Sequence, residues 1–222
     1  WTADLKTLEA KPWAGSARED IHDGPLAEAS LAQPSGMTTD GKTIYWMDSE
    51  TSSIRKATIS DTATVQTLVG AGLFEFGDID GALHLARLQH PLGVLFHREK
   101  LYVADTYNSQ VKVVDLSART ITTLAGTGKG GYADGDPKSA QFYEPGGLTV
   151  IEDKLYVADV NNHRIRTIDL ETGIVGTLDV RETKANVSAS SAAAVSEKTV
   201  TGKTTPPKFS GRIVRPGNTT IA

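Results

Sequence analysis

Apolar residues along this chain come in short bursts, many alternating with polar neighbours, and the bursts end at Gly, Pro, Asn or Asp. This is the pattern of half-buried strands separated by tight turns. The stretch 122–178 shows it in full. It predicts strands over 122–125, 147–151, 155–158, 164–170 and 174–178. A Gly/Asp-rich loop fills 126–139, and the later strands are joined by turns at Asp153-Lys154, at 160–163 and at Glu171-Thr172-Gly173. Within the fourth of these strands, Ile165 and Ile168 stand between polar residues. Short, evenly spaced strands joined by Gly, Asn and Asp turns predict an antiparallel all-β array.

The same pattern recurs. Ile44-Tyr45-Trp46-Met47-Asp48, Leu101-Tyr102-Val103-Ala104-Asp105 and Leu155-Tyr156-Val157-Ala158-Asp159 place an Asp after an apolar strand at steps of 57 and 54. The turns Pro34-Ser35-Gly36, Pro91-Leu92-Gly93 and Pro145-Gly146-Gly147 keep those steps, as do Asp23-Gly24, Asp80-Gly81 and Asp134-Gly135. Three landmarks with one spacing define an internal repeat whose units bury a core only against each other. Four strands per unit of this length fit a β-propeller blade. Asp4-Leu5, eleven residues before Gly15, matches Asp115-Leu116 before Gly126, so the first fifteen residues read as the end of a further unit. The expected architecture is about three complete four-stranded blades plus a partial one over 1–178. A linker over 179–207 and the beginning of a C-terminal β domain over 208–222 complete the expectation.

Charge narrows the partners. Of the 23 Lys/Arg and 27 Asp/Glu, seven and three lie from Asp179 onward, leaving 16 and 24 in the repeats, a balance of −8. An acidic body opposes nucleic-acid binding, which rests on phosphate neutralisation. No apolar run is long enough to span a membrane. The chain has no cysteine, which excludes thiol catalysis and thiolate metal sites within it. Gly126-Thr127-Gly128-Lys129-Gly130-Gly131 lacks the Lys-Ser/Thr step and the following helix of a phosphate loop, and reads as an inter-blade loop.

Asp48, Asp105 and Asp159 are expected to be structural, each accepting from backbone N–H groups of the following turn. The cation after each β-branched residue (Arg55, Lys112, Arg166) is expected to pair across the sheet. No nucleophile–base pair stands at readable spacing, and the five histidines show no convergent spacing for a metal. Binding is therefore assigned to unit-specific residues on loops. These are Arg87, Gln89, His90, Tyr143 and Glu144 near the Pro-x-Gly turns, and Tyr107 and His163 after the second strand. Aromatic residues and Arg are the types enriched at interface anchors.

Pro-x-Gly, Tyr-Val-Ala-Asp-x-x-Asn and Asn162-His163-Arg164-Ile165-Arg166 resemble NHL repeats over residues 1–178. Leu73-Phe74-Glu75-Phe76-Gly77-Asp78, Leu88-Gln89-His90-Pro91 and Phe142-Tyr143-Glu144-Pro145 also look like the propeller of thioredoxin–NHL proteins. The resemblance implies a non-enzymatic scaffold of a longer protein. Its partners would be a protein, the missing blades and the neighbouring domains, with no cofactor. It would sit in the thylakoid lumen for plant-type members, with a role in quenching control, and in the cytoplasm otherwise. The alternative is a lyase- or lactonase-type enzyme with a channel-mouth site. Propeller lyases that look similar hold a metal with histidines after the strand-leading Pro, where this chain has Ser35, Leu92 and Gly146. RNA binding, known among NHL propellers, is the third reading.

Overall fold

The computed structural model describes residues 1–180. The expected C-terminal β domain and all but the first two residues of the expected linker lie outside them. The described chain is all-β with two single-turn 3₁₀ segments. Strands β1 (Thr2–Ala3) and β2 (Ala10–Lys11) form a hairpin. A first sheet holds β3 (Gly24–Pro25), β4 (Pro34–Thr39), β5 (Thr43–Asp48), β6 (Ser53–Thr58) and β7 (Thr64–Val69). A second holds β8 (Gly81–Ala82), β9 (Gly93–His97), β10 (Lys100–Asp105), β11 (Gln110–Asp115) and β12 (Thr120–Ala125). A third holds β13 (Pro145–Ile151), β14 (Lys154–Asp159), β15 (Arg164–Asp169) and β16 (Val175–Thr177). Each contains a four-stranded antiparallel meander, the sheet of a propeller blade, to which the two-residue strands β3 and β8 add a fifth member in the first and second sheets.

The Gly of each Asp-Gly pair pairs with the fourth strand at the outer edge, at Gly24↔Val65, Gly81↔Ile121 and Gly135↔Val175. The hairpin β1–β2 carries the repeat's turn chemistry. Asp4 accepts from the N–H of Lys6 and Thr7, as Asp115 does from Ser117 and Ala118 and Asp169 from Glu171 and Thr172. These are Asx turns, which hold the loop joining the third and fourth strands.

Alternation sends successive side chains to opposite faces, and the first two sheets bury both. Tyr45, Met47, Ile54 and Val69 of the first sheet pack on Leu101, Val103, Val114 and Ile121 of the second, with Leu83 and Leu88 between them. Tyr102, Val111 and Ala125 of the second sheet pack in the same way on Leu155, Val157, Ile168 and Val175 of the third, around Phe142. Each fully buried aliphatic residue contributes roughly 1.5–3 kcal/mol by area transfer.

The first strands β4, β9 and β13 lie side by side. The Gly of Pro-x-Gly permits this. A β-carbon on Gly36 would stand 2.4 Å from the Leu92 carbonyl oxygen, and one on Gly93 2.0 Å from that of Gly146. The Gly36 N–H donates to the Leu92 carbonyl at 2.9 Å, tying adjacent blades by backbone.

Candidate functional site

In each sheet the start of the first strand, the end of the second and the start of the third meet at one end, as in Pro34↔Asp48↔Ser53 and Pro145↔Asp159↔Arg164. The seven candidate binding residues all lie on segments that reach this end. Arg87, Gln89 and His90 are on the segment entering β9, and Tyr143 and Glu144 on that entering β13. Tyr107 is the centre of the 3₁₀ turn Thr106–Asn108, and His163 follows the turn Val160–Asn162 in a left-handed conformation.

These residues do not form one cluster. His90 and Tyr107 are stacked, with ring centroids 4.5 Å apart, and His90 Nδ1 lies 3.8 Å from Glu50 of the preceding blade. The His90 N–H donates to Ser52 Oγ, and the Tyr107 N–H to the Gln89 carbonyl. Arg87 turns back on its own segment, donating to the Leu85 and Ala86 carbonyls. Tyr143 belongs to the next blade, its ring against Gly130, and is half-exposed. Glu144 follows it in the same segment, and His163 caps the 3₁₀ turn after β14.

Beneath this end each blade holds a fully buried carboxylate and a fully buried cation. The carboxylate accepts from the backbone of the incoming segment, where sequence suggested the backbone N–H groups of the turn that follows it. Asp48 accepts from the N–H of Ala32 at 2.8 Å, Asp105 from Gln89 at 2.7 Å and Asp159 from Tyr143 at 2.7 Å, each donor sixteen residues upstream. The 3₁₀ turn leaves its own N–H groups facing elsewhere, and contributes a side chain instead. Asn108 and Asn162 each donate from Nδ2 to the Asp oxygen at 2.8 Å and to a loop carbonyl, Gly77 or Gly131. The Asp therefore clamps the incoming segment to the second strand.

The cations complete the clamp. Arg55 reaches Asp48 at 2.9 Å and Asp23 at 3.1 Å, and donates to the carbonyls of His22 and Ser30. Arg166 reaches Asp159 at 2.7 Å and Asp134 at 2.6 Å, with the carbonyls of Ala133 and Gln141. The Asp of the Asp-Gly landmark is thus the second partner of the buried cation. Sequence reading missed this, although the fixed spacing of the pair was its signal. Buried charges of this kind are structural, because each is paired with an opposite charge or loop carbonyl within its own blade.

The middle blade departs from the others. Lys112 is shorter than arginine and is drawn to Asp78 at 2.6 Å and Asp80 at 2.8 Å, leaving its ammonium 3.9 Å from Asp105. Burial pushes the Asp105 carboxyl up to about 7, against hydrogen bonds from Gln89 and Asn108 and the Lys112 charge. Burial also raises Asp48. Asp80 is held below the ordinary range because hydrogen bonds from Lys112 and Thr123 outweigh its burial. A carboxyl raised from 3.8 to about 7 on folding binds its proton more tightly in the folded state. Its contribution is present below about pH 4 and is lost as pH rises toward about 7. Lys112→Arg should restore the direct contact and lower the Asp105 titration. The melting temperature of the natural protein should then fall more steeply than the variant's between about pH 5 and about pH 7.5. Equal slopes would contradict the assignment.

Among the described residues, no group of three or more His, Cys, Asp or Glu is arranged to hold a metal ion, and no helix is long and apolar enough to cross a membrane.

The NHL repeat family model matches residues 142–168, the stretch that runs from Phe142 through the Asp159–Arg166 clamp. The chain is 42% identical over 183 residues to NHL repeat-containing protein 2 of Homo sapiens and 40% identical over 193 residues to that of Gallus gallus. It is 46% identical over 184 residues to Protein SUPPRESSOR OF QUENCHING 1, chloroplastic, of Arabidopsis thaliana. This chain is a segment of an NHL-repeat β-propeller. The three alignments cover 76%, 80% and 78% of it. The NHL segment spans about a quarter of the two animal relatives, 25% and 26%, and 17% of the plant one. None of these names carries an enzymatic activity. Among solved structures, auxiliary nutrient binding proteins of Bacteroides thetaiotaomicron and Bacteroides ovatus superpose with TM-scores of 0.60 and 0.57. They are 19% and 20% identical, covering 79% and 69% of this chain and 42% and 39% of theirs. At that identity they speak for the propeller fold alone.

Proposed function

We propose that this NHL segment is a non-enzymatic interaction platform within a longer protein. One end of its blades would receive a protein partner, and its flanking sheet faces would seat further blades and neighbouring domains. The observation that carries the reading is the internal pairing of the buried charges. Asp48, Asp105, Asp159 and their cations are spent on holding loops to strands, while the exposed side chains above them belong to types that serve contact. Two apolar faces support the second half. The leading face of the first blade opens on a groove of about 430 Å³ lined by Trp1, Trp13, Trp46 and Met37. The trailing face of the third blade leaves Val160, Ile165 and Leu178 exposed, where the equivalent faces of the first two blades are covered by the next blade.

If the protein is of the plant type, the platform would act in quenching control in the thylakoid lumen, and otherwise in the cytoplasm. Elemental analysis of the purified protein tests the reading against the lyase or lactonase alternative. Substoichiometric zinc and calcium are expected, with no turnover of lactone or ester substrates. One bound metal per chain, together with chelator-sensitive turnover, would overturn it.

A further inference from the structure

The loop over 72–77 crosses the same end of the molecule from the first blade to the second. It leaves β7 at Gly70, beside Ser53, and reaches Gly77, whose carbonyl accepts from Asn108. In the equivalent loops the residues are Ser16-Ala17-Arg18-Glu19 and Thr127-Gly128-Lys129-Gly130, but here they are Leu73-Phe74-Glu75-Phe76. Phe74 is 74% exposed and Phe76 58% exposed. Phe74 also holds φ 63°, the left-handed region occupied by Ala17 at 61° and Gly128 at 79° in the other two copies. A bulky residue is disfavoured there, and the repeat demonstrably folds with Ala or Gly in its place. Two largely exposed phenylalanines, one on a backbone position that disfavours it, gain little from folding. Strain of this kind points from an observed outlier to function.

The phenylalanines continue into the candidate end. Gly77 lies against the Arg87 side chain, and Asn108, which binds the Gly77 carbonyl, is the neighbour of the exposed Tyr107 stacked on His90. Acidic groups border the strip: Glu75 lies between the two phenylalanines and Glu50 faces His90. The repeats as a whole carry −8.

Resting on the platform reading, we propose that Phe74 and Phe76 are the anchors of the protein-docking site, and that they take a partner segment presenting apolar side chains flanked by lysine or arginine. The aromatics supply contact area at low entropic cost, and the acidic surround selects a basic partner over an acidic one.

The full chain is titrated with two fluorescent twelve-residue peptides, one alternating leucine with lysine and one alternating leucine with glutamate. It is also titrated with vesicles of phosphatidylcholine and phosphatidylglycerol. The lysine peptide should bind and the glutamate peptide should bind at least about tenfold more weakly. Phe74→Gly and Phe76→Ser should each weaken the lysine peptide about tenfold or more, the loss typical of an interface anchor. Phe74→Gly should leave the melting temperature unchanged or raise it, which a structural phenylalanine would not allow. A lower melting temperature in Phe74→Gly would overturn the anchor role. Lysine-peptide binding that survives both substitutions but is lost in Tyr107→Ala would also overturn it, while leaving the platform reading intact. Vesicle binding that depends on the phenylalanines, without peptide binding, would replace the protein partner by a membrane. Binding of neither peptide nor vesicle by the natural chain would overturn this proposal, while metal content and turnover judge the platform reading separately.

Discussion

Arg55→Ala is expected to lower the folding free energy by about 3–5 kcal/mol, the cost of leaving one member of a buried pair uncompensated. Asp48 would remain without exposure to solvent, stripped of the guanidinium at 2.9 Å. The carbonyls of His22 and Ser30 would each lose a donor as well, loosening the segment that enters β4. Burial already raises the Asp48 carboxyl, so in the variant it would take up a proton rather than stay charged. Chemical denaturation at neutral pH reads the loss directly. The pair Asp48→Leu with Arg55→Met should be less damaging than Arg55→Ala alone, because it removes both charges and keeps volume. A loss under about 1 kcal/mol for Arg55→Ala would place the cation in the class of surface pairs and contradict the clamp.

Gly93→Ala is expected to be nearly as costly, about 2–4 kcal/mol, for a different reason. Its new methyl would stand 2.0 Å from the Gly146 carbonyl oxygen and 3.0 Å from the carbon, both backbone atoms that cannot rotate away. The strands β9 and β13 would have to separate. Gly147 is the same motif position in the third blade, and a β-carbon there meets nothing within 4 Å. Gly147→Ala should therefore be within about 0.5 kcal/mol of neutral in this chain. Similar melting temperatures for the two variants would show that the first strands are not in backbone contact.

The repeat and its strands were legible because turns and alternation are local. The strands predicted over 155–158 and 164–170 appear as Lys154–Asp159 and Arg164–Asp169, and the turn at 160–163 as a 3₁₀ segment and its cap. What each landmark does was less legible, because it depends on residues far along the chain. The carboxylate of Asp105 looked like a cap for the turn beside it, yet its backbone donor is Gln89, brought alongside by the segment that climbs the outer edge of the blade. Pro-x-Gly read as a turn, but its glycine answers to the strand of the next blade. Lys112 and Arg166 stand at equivalent positions, and their reach to the carboxylate, 3.9 Å against 2.7 Å, separates them. The candidate residues lie on segments that reach one end of the blades, since strand direction follows from the meander. Phe74 and Phe76 were seen only as a family signature, because sequence does not say whether an aromatic is buried.

Amide hydrogen exchange of this chain, alone and within the complete natural protein, tests the platform most directly. Protection is expected to rise at 72–77, 89–91 and 106–109 when the rest of the protein and its partner are present, with the opposite-end turns at 98–99, 116–119 and 152–153 unchanged. Protection gained only at those opposite-end turns, or at neither end, would contradict it.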